Sequence, residues 1–325
     1  MRIHVQNTPT DPRFEITQGQ WDDAAARAGE RGHALTFAGD AQSGRAALAA
    51  GAEAVIGQKA AVRALFPAEA PRLRLVFCTN AGLDGLEPFD WLPPGAALLN
   101  NRGAHAARAG EYAIMALLML AAHMPALVAD QHAQRWAPRH AHVLAGRPLL
   151  VLGLGSLGGA VAERAAQFGM RVTGLRATPR PHPACERVLG VDALDAELPR
   201  AEFLLVATPL TAATRGILDR RRVALLPPGA FVVNIGRGAL LDQDALCDAL
   251  DAGALGGAVL DVFTPEPVPP GHRLWTTRNL LMTPHISADD PRTYNPLSLD
   301  LFWANVRALR EGRPLPTAFD VARGY

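Results

Sequence analysis

Three glycines, Gly153, Gly155 and Gly158, stand in G-x-G-x-x-G spacing within GLGSLGG. Glycine is common enough for such a triplet to arise by chance, so the flanking residues decide its meaning. The apolar run from Leu149 to Leu152 leads straight into it. Leu157, Val161, Ala165 and Phe168 follow at spacings of four, four and three, one face of a helix that Gly169 can end. Strand, tight turn and helix in that order make a cradle for a dinucleotide. Gly153 allows the turn, Gly155 lets the backbone approach a pyrophosphate, and Gly158 lets the helix lie close to the strand. The amides of Ser156 and Leu157 then face the phosphates with the helix dipole behind them.

The end of the next strand selects between dinucleotides. An acid there hydrogen-bonds the ribose hydroxyls of NAD, whereas a cation meets the 2′-phosphate of NADP. Arg176 occupies the place, 18 residues beyond Gly158, with no Asp or Glu from Arg164 to Cys185 and with Arg180 and His182 close behind. NADP is therefore the preferred cofactor, with NAD possible.

Other chemistries find little support. Lys59 is the sole lysine among 32 basic residues and sits in AVIGQKAAVR, which lacks the glycine-rich loop of a phosphate-binding lysine. Cys78, Cys185 and Cys247 are too few and too scattered for a disulfide framework or a zinc site, and Cys78 reads as a small buried hydrophobe. His132, His140 and His142 have Arg139 and Arg147 for neighbours rather than acids, so no metal is expected there. With 32 basic against 31 acidic residues the chain offers no bulk field for nucleic acid or an anionic membrane. Tyr112 to Ala129 is 18 residues without a formal charge, the lower limit for a membrane span, but His123 and Pro125 interrupt it and a buried helix is expected. The start, MRIHVQNTPTDP, has no apolar core of a secretory signal, and the few cysteines suit a reducing, cytoplasmic compartment.

These residues need a scaffold. A chain of 325 residues exceeds what one core usually serves, which gives a prior of about two domains. Hydrophobic residues at 49% and charged residues at 19% are ordinary for a globular α/β protein. Strand-like runs RIHVQ, ALTFAG, AVIG and LRLVFC alternate with helical stretches from Gln20 to Gly32, up to Gly51, and after AVIG. From Gly146 the rhythm repeats: RPLLVLG, a helix from Ser156 to Phe168, MRVTGL, FLLVAT, a helix near Arg215, AFVVNIG, a helix from Gln243 to Leu250, GGAVLDV and LLMTPH. Two parallel α/β units in tandem are expected. Leu297, Leu301, Asn305 and Leu309, with Phe302 between, predict a further surface helix beyond them.

The segment LLPPGAFVVNIGRGALLDQDALCDALDAGALGGAVLDVFTPEPVPPGHRLWTTRNLLMTPHIS, with GLGSLGG before it and TPLTAATRG between, closely resembles the D-isomer-specific 2-hydroxyacid dehydrogenases, in particular the glyoxylate/hydroxypyruvate reductase-like branch. The resemblance covers nearly the whole chain. It is most specific from Gly146 to Ser287 and holds only in rhythm over the first 75 residues. It implies two doubly wound parallel-sheet domains, a Rossmann nucleotide domain (residues 103–287) inserted into a flavodoxin-like substrate domain (residues 1–102 and 288–325). The active site would lie in the cleft, the last helix would pack on the first domain, and the helix containing Tyr112 to Ala129 would be buried in a homodimer.

Residue by residue, the resemblance implies a catalytic arginine at Arg237 in NIGRG, a glutamate at Glu266 in TPEP and a histidine at His285 in TPHIS. The chemistry agrees. A 2-oxo acid presents a carboxylate that a planar guanidinium can hold and a ketone that needs a proton as hydride arrives. Histidine titrates near neutral pH, and a glutamate beside it orients the ring and favours its protonated form. The amides of Ala81 and Gly82 in NAGLDGL match the substrate-carboxylate loop, Thr208, Pro209, Thr214 and Ile235 match positions lining the cofactor, and Asp261 matches a contact to the nicotinamide carboxamide.

Two departures stand out: Arg176 where many relatives have an acid, and SADDPRTYNP after His285 in place of a small glycine-rich turn. The activity implied is hydride transfer between NADPH, or NADH, and a small 2-oxo acid such as glyoxylate or hydroxypyruvate, giving the D-2-hydroxy acid. The alternative is a dinucleotide-sensing, corepressor-like binding protein, which would have no need of a proton donor.

Overall fold

The structure, a computed structural model, describes residues 1–8 and 11–325. The chain divides into two compact units, Met1–His105 with Asp290–Tyr325, and Ala106–Asp289.

In the first unit β1 (Arg2–Gln6), β2 (Ala34–Ala38), β3 (Ala54–Gly57), β4 (Leu75–Cys78) and β5 (Ala97–Leu99) form an all-parallel sheet in the order β2-β1-β3-β4-β5. That is the flavodoxin-like order. Every residue of β3 and β4 is buried, which is why both read as unbroken apolar runs: helices cover both faces. Ile3, Val5, Ile56 and Phe77 pack on one face with Trp21 of α1 (Gln18–Ala28). Val55, Val76 and Cys78 pack on the other with Leu48 of α2 (Ala41–Ala49) and Val62 of α3 (Lys59–Arg63). Burial pushes the Cys78 thiol up to about 12, so it is inert at neutral pH.

The second unit begins with α4 (Ala106–Ala121) and α5 (Met124–His132). The interruption expected inside the apolar stretch falls at His123, whose φ of 56° ends α4, and the two helices are bent by 63°. No single helix among the described residues is long and apolar enough to cross a membrane. Its sheet contains β6 (Pro148–Leu152), β7 (Arg171–Leu175), β8 (Arg187–Leu189), β9 (Phe203–Val206), β10 (Phe231–Asn234), β11 (Gly257–Leu260) and β12 (Leu280–Met282). All are parallel, in the order β12-β11-β10-β9-β6-β7-β8. The order reverses between β6 and β9, the switch point where such sheets bind ligands at their carboxyl ends. Alternate residues of β6 serve opposite cores. Leu149 and Val151 lie with Leu117 of α4 and Val161 of α6 (Ser156–Gln167), while Leu150 and Leu152 lie with Leu194 of α7 (Leu194–Glu197), Val223 of α8 (Arg220–Val223), and Leu246 and Leu250 of α9 (Gln243–Asp251).

One expectation needs correction. Residues around Arg215 form a turn, not a helix; α8 starts only at Arg220, capped by the Asp219 carboxylate, which accepts from the Arg222 amide. The last helix, α10 (Tyr294–Arg310), packs on the first unit's core as the resemblance implies, and the expected stripe is part of its buried face: Phe302 and Asn305 are buried and Leu301 and Leu309 pack against that core. That face also holds Asn295, Ser298, Leu299, Trp303 and Val306, and Trp21 meets Phe302 tilted and Trp303 edge-on in the first unit's core. Leu297, at one edge of the expected stripe, is 37% exposed.

The two faces of α10 can be told apart by truncation. Phe302→Ala should cost about 3–5 kcal/mol, as for a buried aromatic, and Leu297→Ala under about 1 kcal/mol. Urea unfolding of both variants checks this, and equal losses would contradict the assignment.

Candidate active site

The turn from β6 into α6 is shaped by what cannot fit there. A Cβ on Gly153, which has φ +99°, would lie 2.4 Å from the Thr208 amide nitrogen, and one on Gly158 would lie 2.0 Å from the Gly153 carbonyl oxygen. A Cβ on Gly155 would meet nothing within 4 Å, so that side of the turn is open. α6 starts at Ser156 without a side-chain cap, leaving its first amides to an external acceptor. Open backbone and uncapped donors at a switch point fit a dinucleotide pyrophosphate.

Thr208 is wedged beside Gly153, and its carbonyl oxygen lies 3.0 Å from where a Cβ on Gly236 would be. Ile235 is buried and Pro209 exposed. Thr214 spends its hydroxyl on its own loop, donating to the Pro209 carbonyl at 2.7 Å and accepting from the Thr211 amide at 2.8 Å. Arg176 follows β7, its amide held by the Leu189 carbonyl at 3.1 Å. Its half-buried guanidinium has no acidic partner among the described residues. Arg180 is exposed, and His182 Nε2 lies 3.2 Å from where a Cβ on Gly159 would be, over the first turns of α6.

Arg237, Glu266 and His285 follow the adjacent parallel strands β10, β11 and β12. Asn234 shapes the first of these loops, accepting from the Gly236 amide and donating to the Arg237 carbonyl, both at 3.0 Å. A Cβ on Gly238 would lie 2.0 Å from the Phe263 carbonyl carbon, so the Arg237 turn presses on the backbone leaving β11. Glu266 folds back to accept from the Phe263 amide at 2.7 Å through Oε1, and its Oε2 meets His285 Nδ1 at 2.8 Å. That hydrogen bond, against some opposition from burial, holds the imidazole above its usual range. Burial pushes Glu266 upward, but the bonds from His285 and the Phe263 amide outweigh it and leave the carboxyl below its usual range. The charge of Arg237 acts on both partners and lowers each. With Nδ1 committed to Glu266, Nε2 is the ring position able to exchange a proton with a ligand.

Asp261 is 0% exposed, and its carboxylate is committed within the chain. Oδ1 accepts from the Thr283 hydroxyl at 2.6 Å and the Ile286 amide at 2.9 Å, and Oδ2 from the Ser287 amide at 2.9 Å. These bonds anchor the loop on which His285 sits at φ +54°. Tyr112 extends the arrangement: its hydroxyl is 2.5 Å from Thr283 Oγ1 and, pushed up to about 12 by burial, stays protonated. Thr283 gives its one proton to Asp261, so Tyr112 must donate to Thr283. Neither Tyr112, Thr283 nor Asn234 stood out in the sequence. The Asn234 turn had a readable signal, an Asn two residues before a glycine at a strand end.

In the first unit, Ala81 and Gly82 lie on the loop after β4, half-buried, and their amides have no acceptor among the described residues.

The profile of the D-isomer specific 2-hydroxyacid dehydrogenase NAD binding domain matches residues 114–287. The chain belongs to the D-isomer-specific 2-hydroxyacid dehydrogenase family. It is similar to glyoxylate/hydroxypyruvate reductase A of Serratia proteamaculans, 33% identical over 260 residues that span 78% of this chain and 82% of that protein. The corresponding protein of Yersinia enterocolitica is 32% identical over 261 residues, 78% of this chain and 82% of that one. Among solved structures, an NADPH-dependent glyoxylate/hydroxypyruvate reductase from Sinorhizobium meliloti in complex with NADP and sulfate superposes with a TM-score of 0.83 at 26% identity, covering 100% of this chain and 99% of that one. A 2-hydroxyacid dehydrogenase from Xanthobacter autotrophicus Py2 in complex with NADPH and MES gives 0.81 at 28%, with the same coverage. This member of the family is thus an NAD(P)-dependent oxidoreductase of 2-hydroxy acids.

The Tyr112–Thr283–Asp261 chain should behave as one unit. Thr283→Val strands a buried donor and a carboxylate oxygen, at about 1–3 kcal/mol. Adding Tyr112→Phe to that variant should cost far less than Tyr112→Phe alone. Urea unfolding of the four proteins checks the cycle, and additive losses would mean that the hydroxyls act separately.

Proposed function

We propose that the protein reduces small 2-oxo acids of the glyoxylate and hydroxypyruvate type to D-2-hydroxy acids, with NADPH preferred and NADH possible. The observation that carries the reading is the Glu266–His285 pair, a histidine whose pKa a carboxylate raises, in a nucleotide-binding unit. The names of the relatives above support the substrate class. Binding without catalysis, as in a corepressor, is not favoured, because it would leave this pair without a task.

Gly153, Gly155 and Gly158 with the amides of Ser156 and Leu157 hold the pyrophosphate, while Thr208, Pro209, Thr214 and Ile235 line the rest of the cofactor. Arg176 meets the 2′-phosphate. The dinucleotide, when bound, supplies the hydride. Arg237 holds the substrate carboxylate through two parallel hydrogen bonds, and Ala81 and Gly82 are substrate-binding through their amides. His285 delivers a proton from Nε2 to the oxygen of the reacting ketone, and Glu266 keeps Nδ1–H in place so that the neutral ring left behind has one tautomer. Asp261 anchors the His285 loop and would contact the nicotinamide carboxamide. A cytoplasmic homodimer completes the proposal. Met115 and Leu118 of α4, and Trp136 and Val143 beyond α5, are exposed at 42%, 41%, 97% and 77%, an apolar surface suited to a second copy.

Two measurements test this. Because the pKa of His285 is raised, the protonated donor persists above the usual imidazole range, and reductive kcat/KM should fall only as pH rises through the raised value. Glu266→Gln removes the carboxylate and should move that alkaline limb to lower pH; an unmoved limb would exclude His285 as donor.

The second measurement follows the loss of reduced-nicotinamide absorbance with glyoxylate or hydroxypyruvate and either cofactor at low ionic strength. NADPH should outrank NADH, and Arg176→Asp should cut the ratio of efficiencies more than about tenfold, the size of one charge-assisted contact. A wild-type ratio below one, or one unchanged by the substitution, would show that Arg176 points into solvent.

A further inference from the structure

Lys59 is the only lysine in a chain that otherwise uses arginine for every positive charge. It sits where β3 passes into α3, at a helix start with no side-chain cap, and it touches one loop twice. Its amide donates to Asn80 Oδ1 at 2.7 Å, and its Nζ donates to the Asp84 carbonyl at 2.7 Å with Asp84 Oδ2 at 3.7 Å. Both ends of the segment 80–84 are therefore tied to one residue. From the other side Asn100 Nδ2 donates to the Ala81 carbonyl at 2.8 Å and the Asn101 amide to the Asn80 carbonyl at 3.0 Å, while Leu83 is buried. The carbonyls of Asn80, Ala81 and Asp84 are thus spoken for inside the unit, while the amides of Ala81 and Gly82 are among the loop's donors without an acceptor among the described residues.

We infer that Lys59 is a positioning residue for the oxo-acid substrate: it fixes the 80–84 loop so that the Ala81 and Gly82 amides can take a carboxylate. The inference rests on the proposed role of those two amides in substrate binding. Lysine suits the place because a compact ammonium can donate to a carbonyl while lying near the same residue's carboxylate. A planar guanidinium aims its donors in a fixed fork and fits paired acceptors instead.

Lys59→Met should raise KM for glyoxylate about tenfold, as the loop loses its charge-assisted tether, with kcat and KM for NADPH changed less than about twofold. A lysine that merely held the fold would move KM for both substrates or neither. Because the chain has one lysine, chemistry on the wild-type protein provides a second arm that does not depend on the variant folding. Reductive methylation keeps the charge and a donor, and should leave KM for glyoxylate near the wild-type value. Acetylation removes the charge and should reproduce Lys59→Met, while acetylating the Lys59→Met protein, which retains only the N-terminal amine, should add nothing. Gly82→Pro deletes one of the two amides and separates the two claims. If it leaves KM for glyoxylate unchanged, the reading of the loop fails and the inference with it. If Gly82→Pro raises that KM but Lys59→Met and acetylation do not, the loop reading stands and the assignment of Lys59 is overturned.

Discussion

A buried carboxylate is tolerated only where hydrogen bonds replace the water it has lost, and for Asp261 all of those bonds come from residues 283–287. The solvation of a single charge thereby dictates the path of the segment after β12. That path carries His285 through a left-handed backbone conformation, sparsely populated for a residue with a side chain and held only where its surroundings over-determine it. The Thr283 hydroxyl, itself oriented by Tyr112, adds a polarised bond to the same oxygen. Once the loop is fixed, Glu266 has only the ring orientation left to set.

The other two side chains are tied to this frame by close packing rather than by charge. Gly238 lies so near the Phe263 backbone that the Arg237 turn and the exit of β11 cannot move independently, and the Phe263 amide is the one that pins Glu266. Three loops from three neighbouring strands then behave as one piece. The nucleotide turn follows the same logic, with Gly158 against Gly153 and Gly153 against Thr208. Glycine is required at these places because another backbone occupies the volume a side chain would need.

How much of this could be read from the sequence depends on whether the determinant is apolar. Central strands such as AVIG and FVVN are visible because parallel sheets bury both faces. β5 and β8 escape because each is an edge strand of only three residues. α10 is legible as a helix but its buried face only in part, since some of that face is polar. Ser298 accepts from Asn101 and Asn295 donates to the Glu15 carbonyl, satisfied hydrogen bonds that hydrophobic spacing cannot register. The site shows the same division. The glycine fingerprint and the Arg, Glu and His motifs are local in sequence. The tasks of Asp261, Tyr112 and Lys59 depend on partners 22, 171 and 25 residues away.

The placement of Phe302 and Trp303 in the first unit's core bears on how the chain is made. On a ribosome the first 105 residues emerge with their sheet strands complete, but the helix that must cover one face of that sheet is still unsynthesised. The whole of the second unit is translated before it appears. The inserted unit can therefore fold during synthesis, while the unit around it waits with the face of Ile3, Val5, Ile56 and Phe77 covered only in part, by α1. In the nascent protein the order of completion is the reverse of the order of appearance, and the earliest residues are the ones that depend longest on other means of keeping an apolar face from its neighbours.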